Sequence, residues 1–193
     1  MNSFTIRNYA LMILLFFLSS SAIAQFSADM VTTNGDVTQT SKFYSEKPYY
    51  RMDMEEDGQQ MFVVVNTKTN TTQAFMPSQK MYMEMKSDDN QSTSNDVFQS
   101  LEEQKKKYET KLVGKEYVNG YECEVYEVLA DGSPVTTYWQ SAEIEYPIKV
   151  VTGQNKDMIM ELKNIEKGDV DNALFEVPAG YTKMDMQGMM QMK

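Results

Sequence analysis

The chain has 193 residues, with 28 acidic against 18 basic side chains, a formal net charge of −10, 17 methionines, one cysteine and no histidine. That acidic balance disfavours nucleic acid and anionic lipid surfaces as partners. Without histidine the chain lacks the commonest general base, the usual zinc ligand and any Ser-His or Cys-His nucleophile pair, and no Gly-rich phosphate loop calls for a cofactor, so nothing points to an enzyme.

Residues 1–24 read as an export signal. Arg7 supplies a positive start, 10–18 is an apolar run too short to span a membrane comfortably, and Ala22-Ile23-Ala24 fits a peptidase site. Cleavage after Ala24 is expected to leave one exported, periplasmic domain over 25–193, with no stable membrane insertion. Cys123 cannot form an intramolecular disulfide and is expected to be a buried, inert strand thiol with no assigned role.

Beyond the signal, turn dipeptides come at short intervals: Asn34-Gly35, Asp57-Gly58, Asn119-Gly120 and Asp131-Gly132. Strand-length runs lie between them, at 26–33, 37–46, 48–56, 60–66, 71–76 and 80–86. A polar stretch over 86–96 then precedes a predicted helix at 97–109. Phe98, Leu101 and Tyr108 form its narrow apolar stripe, Ser94 or Asn95 its cap, and Glu102–Lys106 and Glu103–Lys107 its favourable pairs. Further strands are predicted at 110–118, 121–130, 135–141, 146–152 and 156–166. The strand spacing predicts a mainly β, mainly antiparallel fold, as a sandwich or a barrel. Asp53, Glu55, Glu56 and Asp57 cluster beside a hairpin turn and read as a solvated edge rather than a catalytic pair.

The methionines carry the functional signal. Met81, Met83 and Met85 alternate with Tyr82 and Glu84, so a strand there presents three thioethers on one face. The spacing recurs at Met52 and Met54, at Met158 and Met160, and at Met184 and Met186. Three readings follow. In the first, Met52, Met54, Met81, Met83, Met85, Met158 and Met160, with Phe98, Leu101 and Trp139, line a cavity for a lipid-like or other apolar small molecule. The second is soft-metal binding, Cu(I) or Ag(I), centred on Met184, Met186, Met189, Met190 and Met192 of a flexible tail at 184–193. In the third the sheet face is simply filled, and the protein is a structural module or binds another envelope protein. Tyr49, Tyr50, Phe62, Phe75, Tyr82, Tyr126, Tyr138 and Trp139 all fall in predicted strands, where aromatic rings suit both packing and a pocket rim.

Lys80-Met81-Tyr82-Met83-Glu84-Met85, then Val113-Gly114-Lys115-Glu116-Tyr117-Val118-Asn119-Gly120-Tyr121-Glu122-Cys123, and finally Leu174-Phe175-Glu176-Val177-Pro178-Ala179-Gly180-Tyr181 form an ordered series. This order resembles an exported bacterial family, the domain of unknown function numbered 4412. More distantly the chain is similar to the periplasmic lipoprotein carriers LolA and LolB. Lys47-Pro48-Tyr49-Tyr50-Arg51 and the segment 61–77 match their strand start and following hairpin. That likeness implies a single curved antiparallel sheet, a half-open barrel closed by one or two covering helices over an apolar cavity, and a hydrophobic guest.

Overall fold

The computed structural model describes residues 25–86, 101–153 and 157–184. Six strands come first: β1 (Phe26–Asn34), β2 (Val37–Glu46), β3 (Tyr49–Glu56), β4 (Gln59–Asn66), β5 (Thr71–Met76) and β6 (Met81–Lys86). One helix, α1 (Leu101–Lys107), precedes β7 (Glu109–Val118), β8 (Tyr121–Ala130), β9 (Ser133–Ser141), β10 (Tyr146–Thr152) and β11 (Met158–Lys167). A two-residue strand, β12 (Thr182–Lys183), follows a short 3-10 turn at Asn172–Phe175. The strands join one sheet in the order β12-β6-β5-β4-β3-β2-β1-β11-β10-β9-β8-β7. Every pairing is antiparallel except β12 on β6.

Turn chemistry explains why this order is nearly that of the chain. Asp57-Gly58, Asn119-Gly120 and Asp131-Gly132 each take positive φ at both residues, the form whose twist matches the strands it joins. The first hairpin departs from expectation. Asn34 pairs with Val37, so the turn is Gly35-Asp36, and Gly35 takes the positive φ of 57°.

The helix also differs from its predicted span of 97–109. Glu109 pairs with Leu129 and so belongs to β7, and Tyr108 closes the last helical bond, donating its N–H to the Gln104 carbonyl at 2.9 Å. Leu101 is buried at 3 % exposure but Tyr108 is 48 % exposed, so the expected stripe ends early. An ion pair links Glu102 to Lys105 at 2.9 Å, one residue nearer than expected. Phe98, the cap positions 94 and 95, and the loop over 87–96 lie outside the described residues.

The sheet curls. The rings of Tyr146 on β10 and Phe43 on β2 are 5.1 Å apart, although β1 and β11 intervene. A flat sheet would separate those strands by about 14 Å. The face these rings share is therefore the inner one. Its core is filled where β1, β2, β10 and β11 meet: Phe26, Phe43, Ile148 and Leu162 are fully buried, Met30 and Met160 almost so.

The two sheet edges are treated differently. The β12 edge is two residues long, whereas β7 has ten residues paired only with β8. Exposed Lys111, Lys115 and Glu116 and a bulge between Leu112 and Gly114 make the β7 edge a poor template for another strand. Among the described residues no helix is long and apolar enough to cross a membrane.

Candidate functional site

The two faces of β3–β6 use different residue types. On the outer face Phe62 and Phe75 stack at 4.3 Å and 8°, Phe75 and Tyr82 at 5.2 Å, and Tyr181 meets Phe75 edge-on at 5.8 Å. Phe175 stacks on Tyr49 at 5.8 Å. Arg51 lies 3.8 Å over the Phe62 ring, bonds Asp53, and donates from Nη1 to the Leu174 carbonyl at 2.8 Å. The chain's own segment after β11 thus closes this face with stiff rings and a pinned guanidinium.

Every methionine of the described strands lies on the inner face. Phe43 stands opposite Met52, Met52 opposite Val63, Val63 opposite Ala74, and Ala74 opposite Met83. One step along the strands, Met54 stands opposite Met61 and Met76 opposite Met81. Because Phe62 pairs with Phe75, the same register sets Met61 beside Met76. The other way lies the row of Tyr50, Val65, Thr72 and Met85. Met30, opposite Leu162, and Met160, opposite Val150, share this face on β1 and β11.

Burial grades along it. Met30 and Met160 are 1 % exposed and fill the core, whereas Met52, Met54, Met61, Met76, Met81 and Met83 are half-buried and Met85 is 47 % exposed. Met158, opposite Thr152, is half-buried on the same face. Helix α1 sits on this side too, over the far strands. Leu101 joins the inner core, and the Lys105 ammonium lies 4.5 Å over the ring of Tyr126, which is in register with Tyr138 and Val150.

Strand register sets Trp139 on the other face, although it also packs against the edge of the same buried cluster. It pairs with Lys149, and Lys149 with Glu161, one residue out of step with the Tyr138–Val150–Met160 row. Its ring carries the Lys149 ammonium at 4.9 Å, and its Nε1 donates to Glu116 at 2.7 Å. Met184 donates its N–H to the Tyr82 carbonyl at 2.8 Å, which continues the β12 ladder and sets it beside Met83. Phe98, Met186, Met189, Met190 and Met192 lie outside the described residues. Alternation within a single strand does not single out Met61, Met76, Val63 and Ala74, and pairing across strands brings them onto the methionine face.

Cys123 is fully buried, and burial pushes its thiol pKa up to about 11, so it is no nucleophile at neutral pH. Among the described residues no three His, Cys, Asp or Glu side chains gather as metal ligands would. A cavity of about 330 Å³ opens on the outer face, between Tyr49, Val64, Asn66, Thr71, Gln73 and Phe175. Its lining mixes the apolar Val64 and Phe175 with the polar Asn66, Thr71 and Gln73.

Glu84 anchors β12. It accepts hydrogen bonds from Lys183 at 2.6 Å and Gln73 at 2.8 Å, which hold its carboxyl below the usual range, the lysine contributing most. A carboxylate depressed on folding stabilises above its unfolded pKa, about 4.3, and that contribution is lost as pH falls through the folded value. The expected result is a melting temperature higher than that of Glu84→Gln at pH 7, with the gap closing below about pH 4. A gap that does not narrow at all between pH 7 and pH 2 would mean the carboxylate charge is not what holds β12.

The geometry defines a class: proteins built on one open, curled sheet whose inner face carries a helix and a half-filled apolar surface. The family model for a domain of unknown function, DUF4412, matches residues 27–145 and 140–181, and the chain belongs to that family. An uncharacterized conserved protein from Thermus thermophilus superposes with TM-score 0.57 at 9 % identity, covering 84 % of this chain and 91 % of that one. PNGF-II gives 0.54 at 12 % identity over 88 % of this chain, which spans only 33 % of PNGF-II. MucB, in the MucA/MucB complex of Pseudomonas aeruginosa, gives 0.52 at 16 % identity over 81 % of this chain and 56 % of that one. At these identities the likeness is one of fold. The LolA superfamily protein of Nitrosomonas europaea is a looser neighbour, at TM-score 0.37 and 11 % identity over 79 % of this chain and 89 % of that one. No curated protein matches the sequence.

Proposed function

We propose that the inner face of β3–β6 binds an apolar small molecule of variable shape, an acyl chain or similar, without transforming it. The observation that carries this reading is the segregation of residue types. Within β3–β6 both phenylalanines, Phe62 and Phe75, lie on the outer face and every methionine lies on the inner one, beside Tyr50, Val63 and Val65. If both faces served only to fill space, nothing would sort thioethers from rings. Methionine has three rotatable bonds and a polarizable sulfur, so a methionine surface adapts to an irregular guest where a keyed aromatic core does not. Ala74, half-buried between Val63 and Met83, leaves a shallow place in the middle of the face. The signal-like residues 1–24 support a periplasmic setting for this work, with an envelope protein as source or recipient of the guest.

A fluorescent fatty-acid analogue should bind the protein saturably. Met83→Asp should weaken that binding about tenfold or more, since a desolvated carboxylate facing an alkyl chain costs at least 1.4 kcal/mol or so. Trp139→Ala, on the opposite face, should leave binding unchanged. No saturable binding, or equal binding by the Met83→Asp protein, would overturn the reading.

A further inference from the structure

We propose that Met54, Met61, Met76 and Met81 form a binding site for a monovalent soft metal ion, of the Cu(I) or Ag(I) class. Met54 pairs with Met61 and Met76 with Met81, and extending the Phe62–Phe75 register by one residue sets Met61 beside Met76, so the four form one cross-strand row through β3, β4, β5 and β6. Residues directly opposite in antiparallel strands have Cβ atoms about 4.5–5.5 Å apart, and each thioether sulfur lies two bonds further out on a freely turning stem. The end members Met54 and Met81 are about 14 Å apart across three strand spacings, so one ion is held by neighbouring sulfurs, Met61 and Met76 with a flanking methionine, and not by all four at once. The next row cannot do this, because Val63 and Ala74 separate Met52 from Met83.

Burial leaves the row available. Unlike Met30 and Met160, which are consumed by the core at 1 % exposure, all four are half-buried. Their chemistry sets the ion class. Uncharged thioethers are soft donors, poor for magnesium, calcium or manganese and good for Cu(I). The surroundings offer no competing hard set, since no three His, Cys, Asp or Glu side chains gather among the described residues. The row ends beside the Asp57-Gly58 turn, where Glu55 and Asp57 are exposed, and a chain of net charge −10 draws cations toward it. This site lies within ordered strands, whereas the sequence alone pointed to the methionines from Met184 onward.

The site stands independently of the apolar guest, and the test separates the two. Cu(I) is titrated anaerobically into the full chain in competition with bicinchoninate, alongside the variant Met61→Leu/Met76→Leu and a chain ending at Met184. Methionine to leucine conserves volume and apolarity, so the melting temperature should hold. Losing outer partners of a metal site already costs 10–100-fold, so losing two ligands should weaken Cu(I) binding by about tenfold or more. The shortened chain should bind Cu(I) as the full chain does. No Cu(I) binding by the full chain, equal binding by the double-leucine variant, or loss of binding on removing 185–193 would each overturn the assignment.

Discussion

Phe75→Ala is expected to destabilise the protein by about 3–5 kcal/mol, lowering its melting temperature by roughly 6–20 °C. Met83→Ala, on the neighbouring strand but the inner face, should cost only about 1 kcal/mol. The difference follows from surroundings. Phe75 is fully buried and touches three rings, Phe62, Tyr82 and Tyr181, so its removal leaves a void that stacked rings cannot collapse to fill. Met83 is half-buried, and its loss opens a space that water already reaches. Equal costs for the two, measured by denaturant unfolding, would show that both faces are packed alike. The inner face would then be no softer than the outer one.

The fold was legible because its turns are. Asp57-Gly58, Asn119-Gly120 and Asp131-Gly132 mark hairpins by residue type, and the strands between them match the predicted spans closely. The thioether face of β6 was equally legible, since alternation alone puts Met81, Met83 and Met85 together. Cross-strand neighbours were harder. A two-residue turn at Asp57-Gly58 pairs Glu56 with Gln59 and therefore Met54 with Met61, so half of the proposed metal row was already implied by the sequence. The other half was not, because β5 and β6 are joined through a 3-10 turn at Pro77–Gln79 and a left-handed Lys80 whose register no dipeptide announces.

Trp139 shows the complementary failure. Its place in a strand is plain, but its face depends on register across β10, where a bulge between Pro147 and Lys149 shifts the frame. The closing segment after Gly168 was opaque for a third reason. Val170, Leu174, Phe175 and Tyr181 follow no strand or helix period, so only tertiary contact shows that they cover the outer face.

That closing segment should be indispensable. A chain ending at Gly168 is expected to be unfolded or aggregated at 25 °C, whereas one ending at Met184 should melt within a few degrees of the full protein. The shorter chain lacks Val170, Leu174, Phe175 and Tyr181 of the outer core and uncovers Phe62, Val64 and Phe75. At about 1.5–3 kcal/mol for each large apolar side chain fully buried, and less for partly buried ones, the loss is at least about 5 kcal/mol. That is the scale of the whole stability of an ordinary domain, about 5–15 kcal/mol. It also strands Arg51, whose Nη1 loses the Leu174 carbonyl, and strips Glu84 of Lys183. A folded, soluble protein ending at Gly168, with native circular dichroism and a cooperative melt, would show that the outer face needs no cover. The two faces would then be equally available to a partner. If instead the truncation unfolds the protein, the outer side of β3–β6 depends on the chain's own closing segment for cover, and the methionine side is the one that folds without such a cover.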